Sequence, residues 1–420
     1  MPSAAEARKP LGIDVLAAAR ERIAASFDGA DRVCVSFSGG KDSTVMLHLA
    51  MEEAARRGQR VGVLFVDLEG QYRLTIEHIE RCLDMYAERI DEHWVALPLN
   101  LRNAVSQYEP QWMCWEPGRE KDWIRKPPKR AITDEAHYPF FERGMEFEDF
   151  VPRFADWYAD GGSLVSFVGI RTTESLNRWR SIASDTKRRW RGKCWTTIKG
   201  DGPIWNAYPI YDWRTEDIWT YHARYPGLPA NGLYDLMHRA GLTIEQQRIC
   251  QPYGDDQRKG LWLFHVIEPQ TWAKIVARVN GANQGALYAR ESGNVLGQRK
   301  ITRPEGHTWE SFAYLLLDSM PAETAAHYQV KIDTFIQWWY LRGGIYGRGI
   351  PDETDPKLEA ARKAPSWRRI CKSLLRNDYW CKGLSFSQHR SGAAYAQYRA
   401  RKRERQNHQV ARSRTIEESR

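Results

Sequence analysis

Between Arg32 and Arg57 the chain passes from a β-rich run, Arg32-Val33-Cys34-Val35-Ser36-Phe37, through Ser38-Gly39-Gly40-Lys41-Asp42-Ser43, into a stretch of helical periodicity that starts at Thr44. A strand handed to a helix through a Gly-Gly turn is one βα unit of an alternating sheet. The same turn aims its backbone N–H groups and the positive end of the helix at one point, which makes an anion site. Gly39 and Gly40 permit unusual φ and close approach, Lys41 supplies a cation, and the hydroxyls of Ser38, Ser43 and Thr44 add donors. The spacing is not Gly-x-x-x-x-Gly-Lys-[Ser/Thr], so the turn is not the loop that serves cleavage between β- and γ-phosphates.

The alternation continues. A second strand is expected over Val61–Val66, ending at Asp67, then a helix from Leu74 to Arg89 and a third strand over Trp94–Leu99. After a segment dense in Trp, Pro and basic residues, a strand at Leu164–Val168 feeds Gly169-Ile170-Arg171-Thr172-Thr173-Glu174-Ser175. This pattern predicts an α/β fold with a doubly wound parallel sheet covered on both faces. Beyond Gly260 the chain turns helical and aromatic. The expected domains are an N-terminal helix (1–28), the α/β domain (29–258) with a Trp-rich insertion over 105–160, a mainly α C-terminal region (259–392) and a basic tail (393–420).

A net charge of +9 and a pI near 9.1 point to anionic partners. No apolar run is long enough to span a bilayer, and Arg20, Glu21 and Arg22 interrupt the N-terminal apolar stretch where a secretory core would be. The seven cysteines form no Cys-x-x-Cys pair, which argues against a zinc ribbon or a compact iron–sulfur cluster and predicts a reducing, cytoplasmic location.

Ser-Gly-Gly-Lys-Asp-Ser resembles the pyrophosphate-binding loop of the PP-loop ATP pyrophosphatases. Phe65-Val66-Asp67 with Gly70 and Tyr72, the Gly169–Ser175 run, and Tyr208-Pro209-Ile210-Tyr211-Asp212-Trp213 through Trp219 resemble the phosphoadenylyl-sulfate reductase branch of that superfamily. Within the branch, the chain is similar to large proteins described as co-activators of prophage gene expression. The resemblance implies an adenine-nucleotide alpha-hydrolase-like sheet with ATP across its carboxyl edge, Mg2+, and cleavage between the α- and β-phosphates. Ser36, Phe37, Ser38, Gly39, Gly40, Lys41, Asp42, Ser43, Thr44, Asp67, Gly169, Arg171, Glu174 and Ser175 are then the expected phosphate and nucleotide contacts. Lys41, Asp42 and Arg171 are the expected catalytic groups. Reductases of the branch carry a C-terminal Glu-Cys-Gly-Leu/Ile-His run that this chain lacks; Trp380-Cys381-Lys382-Gly383-Leu384 has neither the acid nor the His. Redox chemistry is therefore demoted in favour of adenylyl transfer, and Cys381 is expected to be structural.

Arg171, just past a strand end, suits an anionic substrate or the α-phosphate, with Glu174 to orient it. Asp67 could hold a ribose hydroxyl or a metal, and Asp42 a metal or Lys41; either could instead cap a helix. Asp212 and Asp217 read as structural, with Thr215 as an N-cap. The Asn231–Asp235 and Arg248–Pro252 runs are expected to wall the site, with Arg178 and Arg248 as possible substrate contacts. Seven cations between Arg178 and Lys193, interleaved with Trp179, Trp190 and Trp195, fit either a nucleic-acid surface or a solvated basic segment. Two further readings stand beside the enzyme: a nucleotide-sensing regulatory or nucleic-acid-binding module without turnover, and a thiol-dependent sulfonucleotide reductase. A partner protein is compatible with each.

Overall fold

The computed structural model describes residues 12–106, 109–183, 187–199, 202–249, 253–254, 261–279, 281, 301–345 and 349–386. The chain divides into two compact units, one of 1–105 with 111–290 and one of 106–110 with 291–420.

The first unit is built on a six-stranded sheet in the order β3-β2-β1-β6-β8-β7. Its strands are β1 (Arg32–Ser36), β2 (Val61–Val66), β3 (Ile90–Val95), β6 (Leu164–Val168), β7 (Thr196–Lys199) and β8 (Ile204–Ala207). All pairings are parallel except β7 with β8. Val33, Cys34 and Val35 of β1 are buried, as a central parallel strand covered on both faces requires. The chain winds outward from β1 to β2 and β3, then returns to place β6 on the other side of β1. The turn after β1 therefore opens at the point where the winding reverses, where sheets of this type bind ligands.

The helices follow local rules. Asp14 caps α1 (Val15–Phe27), accepting from the amides of Leu16 and Ala17 at 2.8 and 2.9 Å. α1 belongs to the main core through Ile23 and Phe27, and Arg22 bridges it to Asp212 at 2.7 Å. α2 (Lys41–Arg57) ends on Gly58 in the left-handed region. α3 (Arg73–Met85) follows β2.

Several expectations need correction. The third strand runs over Ile90–Val95 rather than Trp94–Leu99; as an edge strand it tolerates Asp91 and Glu92, and Pro98 has no N–H to continue a ladder. The insertion is not patternless. It holds the antiparallel pair β4 (Asn100–Arg102) and β5 (Gln111–Met113), and α4 (Phe147–Ala159), which packs on β6 and β8 and is the return crossover. Helices α5 (Leu176–Ala183), α6 (Thr215–Arg224) and α7 (Leu233–Arg239) complete the core fold. α8 (Trp262–Ile267) and α9 (Pro269–Arg278) also belong to the first unit, past the expected boundary at 258: Phe264 stacks on Tyr72 at 3.7 Å and Arg278 bonds Glu69 at 3.0 Å.

The second unit packs α10 (Trp309–Asp318), α11 (Ala322–Arg342) and α13 (Trp367–Leu375) around Phe312, Tyr328, Phe335, Ile370 and Leu374, and α12 (Pro356–Ala360) is tied to the start of α13 by Glu359, which accepts from Ser366 Oγ at 2.6 Å. Cys381 is buried in this core, and burial pushes its thiol pKa upward, so it is structural as expected. Residues 1–11 and the basic tail over 393–420 lie outside the described residues. No helix among the described residues is long and apolar enough to cross a membrane.

Candidate functional site

α2 begins at Lys41, three residues earlier than its periodicity suggests, because Gly40 is extended at φ −76 and ψ 159 and acts as the N-cap. No side chain caps this end, so the amides of the first turn depend on what lies beyond it. The hydroxyls expected to face the anion are committed to the loop itself. Ser43 Oγ donates to the Gly40 carbonyl at 3.1 Å and accepts from Ser38 N–H at 3.2 Å; Ser38 Oγ donates to Ser43 Oγ at 3.0 Å; Thr44 Oγ1 donates to Gly40 O at 2.9 Å. The amides of Gly39, Gly40, Asp42 and Ser43 have no acceptor among the described residues. They are open donors at the positive end of α2, an arrangement suited to an anion.

Two glycines allow the loop to be this tight. Gly39 has φ +71, and a Cβ there would lie 2.9 Å from the Thr75 side chain. A Cβ on Gly169 would lie 2.9 Å from Asp42 O and Ser43 N, so only glycine lets the end of β6 touch the first turn of α2.

That contact delivers Arg171. Its side chain is 3% exposed and its Nε donates to one oxygen of Asp42, while Nη1 reaches Thr173 Oγ1 at 3.0 Å and Thr215 Oγ1 at 3.2 Å. Lys41 Nζ lies 3.2 Å from the other Asp42 oxygen and donates to the Gln247 carbonyl at 3.1 Å. Two cations thus converge on one carboxylate at the positive end of a helix, leaving the mouth of β1 net positive.

The remaining expected contacts divide. Ser36 ends β1 in register with Leu64 and Val168, and Phe37 is buried against His78; both place the loop and show it no side chain. Glu174 does not orient Arg171. It pairs with Arg248 at 2.7 Å and Arg178 at 3.8 Å, tying those two possible substrate contacts to each other through one acid. Ser175 Oγ accepts from the Arg178 amide at 3.2 Å as a helix cap. Asp67 is 0% exposed, and its carboxylate accepts from Trp94 Nε1 at 2.9 Å, from Glu69 N–H at 3.1 Å and from Arg125. These contacts make it an anchor of the sheet edge, with its oxygens committed to the protein's own donors.

Thr215 is the first residue of α6 rather than its cap; Arg214 takes that place, and Asp217 accepts from the Arg214 amide at 2.7 Å. Asp212 is structural, as expected. In the basic segment, Trp190 stacks on Trp205 at 4.9 Å and Trp195 is buried. Of the three rings, Trp195 is buried and Trp190 packs against the main core, and Trp179, 52% exposed, lies on the surface.

Sequence reasoning named the Asn231–Asp235 run but not its function. Tyr234 OH accepts from Lys41 N–H at 2.9 Å, and Asn231 Nδ2 donates to Gly39 O at 2.9 Å and Thr75 Oγ1 at 3.1 Å. Gln247 was missed, since a main-chain carbonyl leaves no signature in residue type. Cys250 and Pro252 lie outside the described residues. Behind the loop, His78 Nε2–H donates to Thr44 Oγ1 at 2.9 Å, and His48 donates to Pro229 O at 3.0 Å while accepting from Tyr86 OH at 2.8 Å. Burial lowers their pKa values to about 3 for His78 and about 4 for His48, so both are neutral supports. A surface groove of about 370 Å³ lined by Phe140, Arg153, Asp156 and Trp157 shares no residue with the loop.

Residues 32–240 match the phosphoadenosine phosphosulfate reductase domain, and residues 241–349 and 345–394 match the Domain of unknown function (DUF3440). The chain is 47% identical over 380 residues to the "Uncharacterized protein YbdN" of Escherichia coli (strain K12), covering 90% of this chain and 92% of that protein. The chain belongs to the YbdN family. Its first half is a phosphoadenosine phosphosulfate reductase domain with a PP-loop. A shorter likeness, 30% identity over 208 residues, joins the family to the "Uncharacterized protein MJ0066" of Methanocaldococcus jannaschii, with 48% of this chain and 33% of that one covered. Among solved structures, phosphoadenylyl-sulfate reductase from Candida auris in a phosphate complex is 12% identical, over 52% of this chain and 85% of that chain, with a TM-score of 0.30. Candida glabrata FMN adenylyltransferase with FMN and the ATP analogue AMPCPP is 14% identical, over 52% and 59%, with a TM-score of 0.29.

Proposed function

We propose that this protein binds ATP at the β1–α2 loop, cleaves it between the α- and β-phosphates and transfers the adenylyl group to an acceptor, releasing pyrophosphate. The observation that carries this reading is the set of four acceptor-free amides at the uncapped start of α2, at the point where the sheet's winding reverses, with Lys41 and Arg171 on either side of Asp42. Amides aimed at an anion stabilise charge that grows on a departing pyrophosphate. Lys41, its ammonium held between Asp42 and the Gln247 carbonyl, supplies positive charge beside those amides, and Arg171, held by two threonines, suits the α-phosphoryl group.

Magnesium fits this site as a passenger of the nucleotide. Asp42 is the acid of the loop, its two oxygens accept from Lys41 and Arg171, and no group of three or more His, Cys, Asp or Glu side chains arranged to hold a metal occurs among the described residues. Magnesium usually takes one or two carboxylates beside phosphate oxygens and water. When bound it neutralises phosphate charge; the orientation of that charge falls to the amides, Lys41 and Arg171.

Thiol-dependent reduction has weak support. Among the described cysteines, Cys34, Cys82, Cys114, Cys371 and Cys381 are buried, and burial pushes the pKa of each of these thiols up, away from the thiolate that such chemistry needs; Cys194 is exposed. The test is pyrophosphate release from Mg-ATP by the full chain. Lys41→Met is expected to lower it about 100-fold or more with the circular dichroism spectrum unchanged; undiminished release by that variant sinks the proposal.

A further inference from the structure

The phosphate loop already has ligands, and they come from its own chain. Tyr234 OH accepts from Lys41 N–H at 2.9 Å, in the place of an anionic oxygen at the first amide of α2. The Gln247 carbonyl accepts from Lys41 Nζ at 3.1 Å, and Asn231 holds Gly39 O at 2.9 Å. The Tyr234 ring is 3% exposed, with Lys41 Nζ 5.3 Å from its centroid and Trp219 edge-on at 5.4 Å. Arg248 fastens the far end of this stretch to Glu174 at 2.7 Å.

These acceptors are neutral oxygens on groups that an anion would satisfy better. Hydrogen bonds to charged oxygens are roughly twice as strong as neutral ones, so phosphate displaces the hydroxyl and the carbonyl at a cost rather than meeting an empty loop. The cost depends on the ligand. The four open amides carry no internal acceptor and Lys41 carries two, so a ligand that needs Lys41 competes with Tyr234 and Gln247, and one satisfied by the amides alone does not.

We propose that the stretch Asn231–Arg248 is an internal competitor for the phosphate loop that promotes pyrophosphate release, with Tyr234 as its principal ligand. This rests on the reading of the loop as the site that holds ATP. A loop of open amides with a free lysine would retain pyrophosphate tightly, and tight product retention limits turnover. Tyr234 and Gln247 return to Lys41 as the product leaves, so the site resets without a separate opening step. Tyr234 is a positioning residue in this scheme; it acts on Lys41 and touches no reacting atom.

The test is calorimetric binding of inorganic pyrophosphate and of orthophosphate, each with magnesium, to the full-length protein and to Tyr234→Phe, which keeps the buried ring. Loss of one neutral competing bond is expected to tighten pyrophosphate binding about three- to tenfold and to change orthophosphate binding less than about twofold. Equal or weaker pyrophosphate binding by Tyr234→Phe, while Lys41→Met still abolishes it, overturns the competitor and leaves the loop reading intact. Pyrophosphate binding that is absent, or indifferent to Lys41→Met, overturns both. If Tyr234→Phe fails to fold, hydrogen exchange on the unaltered protein decides: faster exchange of the 233–246 amides with pyrophosphate than with orthophosphate supports the competitor, and unchanged or slower exchange overturns it.

Discussion

Asp42, in the first turn of α2 after β1, and Asp67, just past β2, follow neighbouring strands of one sheet and each pairs with arginine, yet they do opposite things. Asp42 keeps a side chain 16% exposed and gathers Lys41 and Arg171 into the mouth of β1. Asp67 is 0% exposed and bonds Trp94 and the insertion's Arg125, while Glu69, also 0% exposed, takes Arg278 from α9. The first cluster stands beside the open amides of the loop, so its cations and those donors face one place. The second closes on itself and staples the insertion and a distant helix to β2. An acid after a strand is thus a site or an anchor according to whether later chain covers it.

The strongest way to break this comparison is to neutralise each acid and add a ligand. Asp67→Asn leaves Arg125 without its carboxylate and is expected to cost about 3–5 kcal/mol of stability, with the gap from wild type unchanged by pyrophosphate. Asp42→Asn should cost less, about 1–3 kcal/mol, and pyrophosphate should narrow that gap because an anion then meets Lys41 and Arg171 in place of the carboxylate. Urea denaturation with and without pyrophosphate measures both, and narrowing in both variants, or in neither, removes the distinction.

A smaller effect sharpens the picture of what supports the loop. His48 and His78 are neutral in the fold, with pKa values lowered from 6.5 to about 4 and about 3 by burial. The unfolded chain therefore binds protons that the fold refuses. Stability is flat above about pH 7 and falls below pH 6.5, on the order of 1 kcal/mol per pH unit for each histidine until the folded values are reached. Denaturation midpoints at pH 7, 6 and 5 check the slope, and His48→Gln should make it shallower; a midpoint constant over that range contradicts the burial argument. The smallest expected change lies in the basic segment. Trp179→Ala should shift stability by less than about 0.5 kcal/mol, whereas Trp190→Ala, losing its stack on Trp205, should cost about 3 kcal/mol.

Much of the site was legible because its key groups are local. Gly39, Gly40, Lys41, Asp42 and the start of α2 lie within a few residues, and a strand–turn–helix junction aims their amides whatever the remainder of the chain does. Arg171 was legible for the same reason, as a residue just past a strand. What sequence could not decide was non-local: that Asp67 is sealed by later chain, that Glu174 pairs with Arg248 rather than Arg171, and which of the two readings the tryptophans of the basic segment follow. Each depended on what packs over the residue, and residue type does not record that. The insertion's boundaries failed because α4 was read as part of the insert when it is the crossover that returns the chain to β6.

The sequence by itself determined the βα unit, its anion-binding turn and the parallel character of the sheet, since these follow from periodicity, glycine conformation and the direction of backbone dipoles within short spans. The tertiary structure alone decided that Arg171 and Lys41 share Asp42, that Asp67 is sealed under Trp94 and Arg125, and that Tyr234 and Gln247 occupy the loop. Those contacts join residues separated in sequence by as many as 206 positions, and they depend on the order in which the strands lie in the sheet.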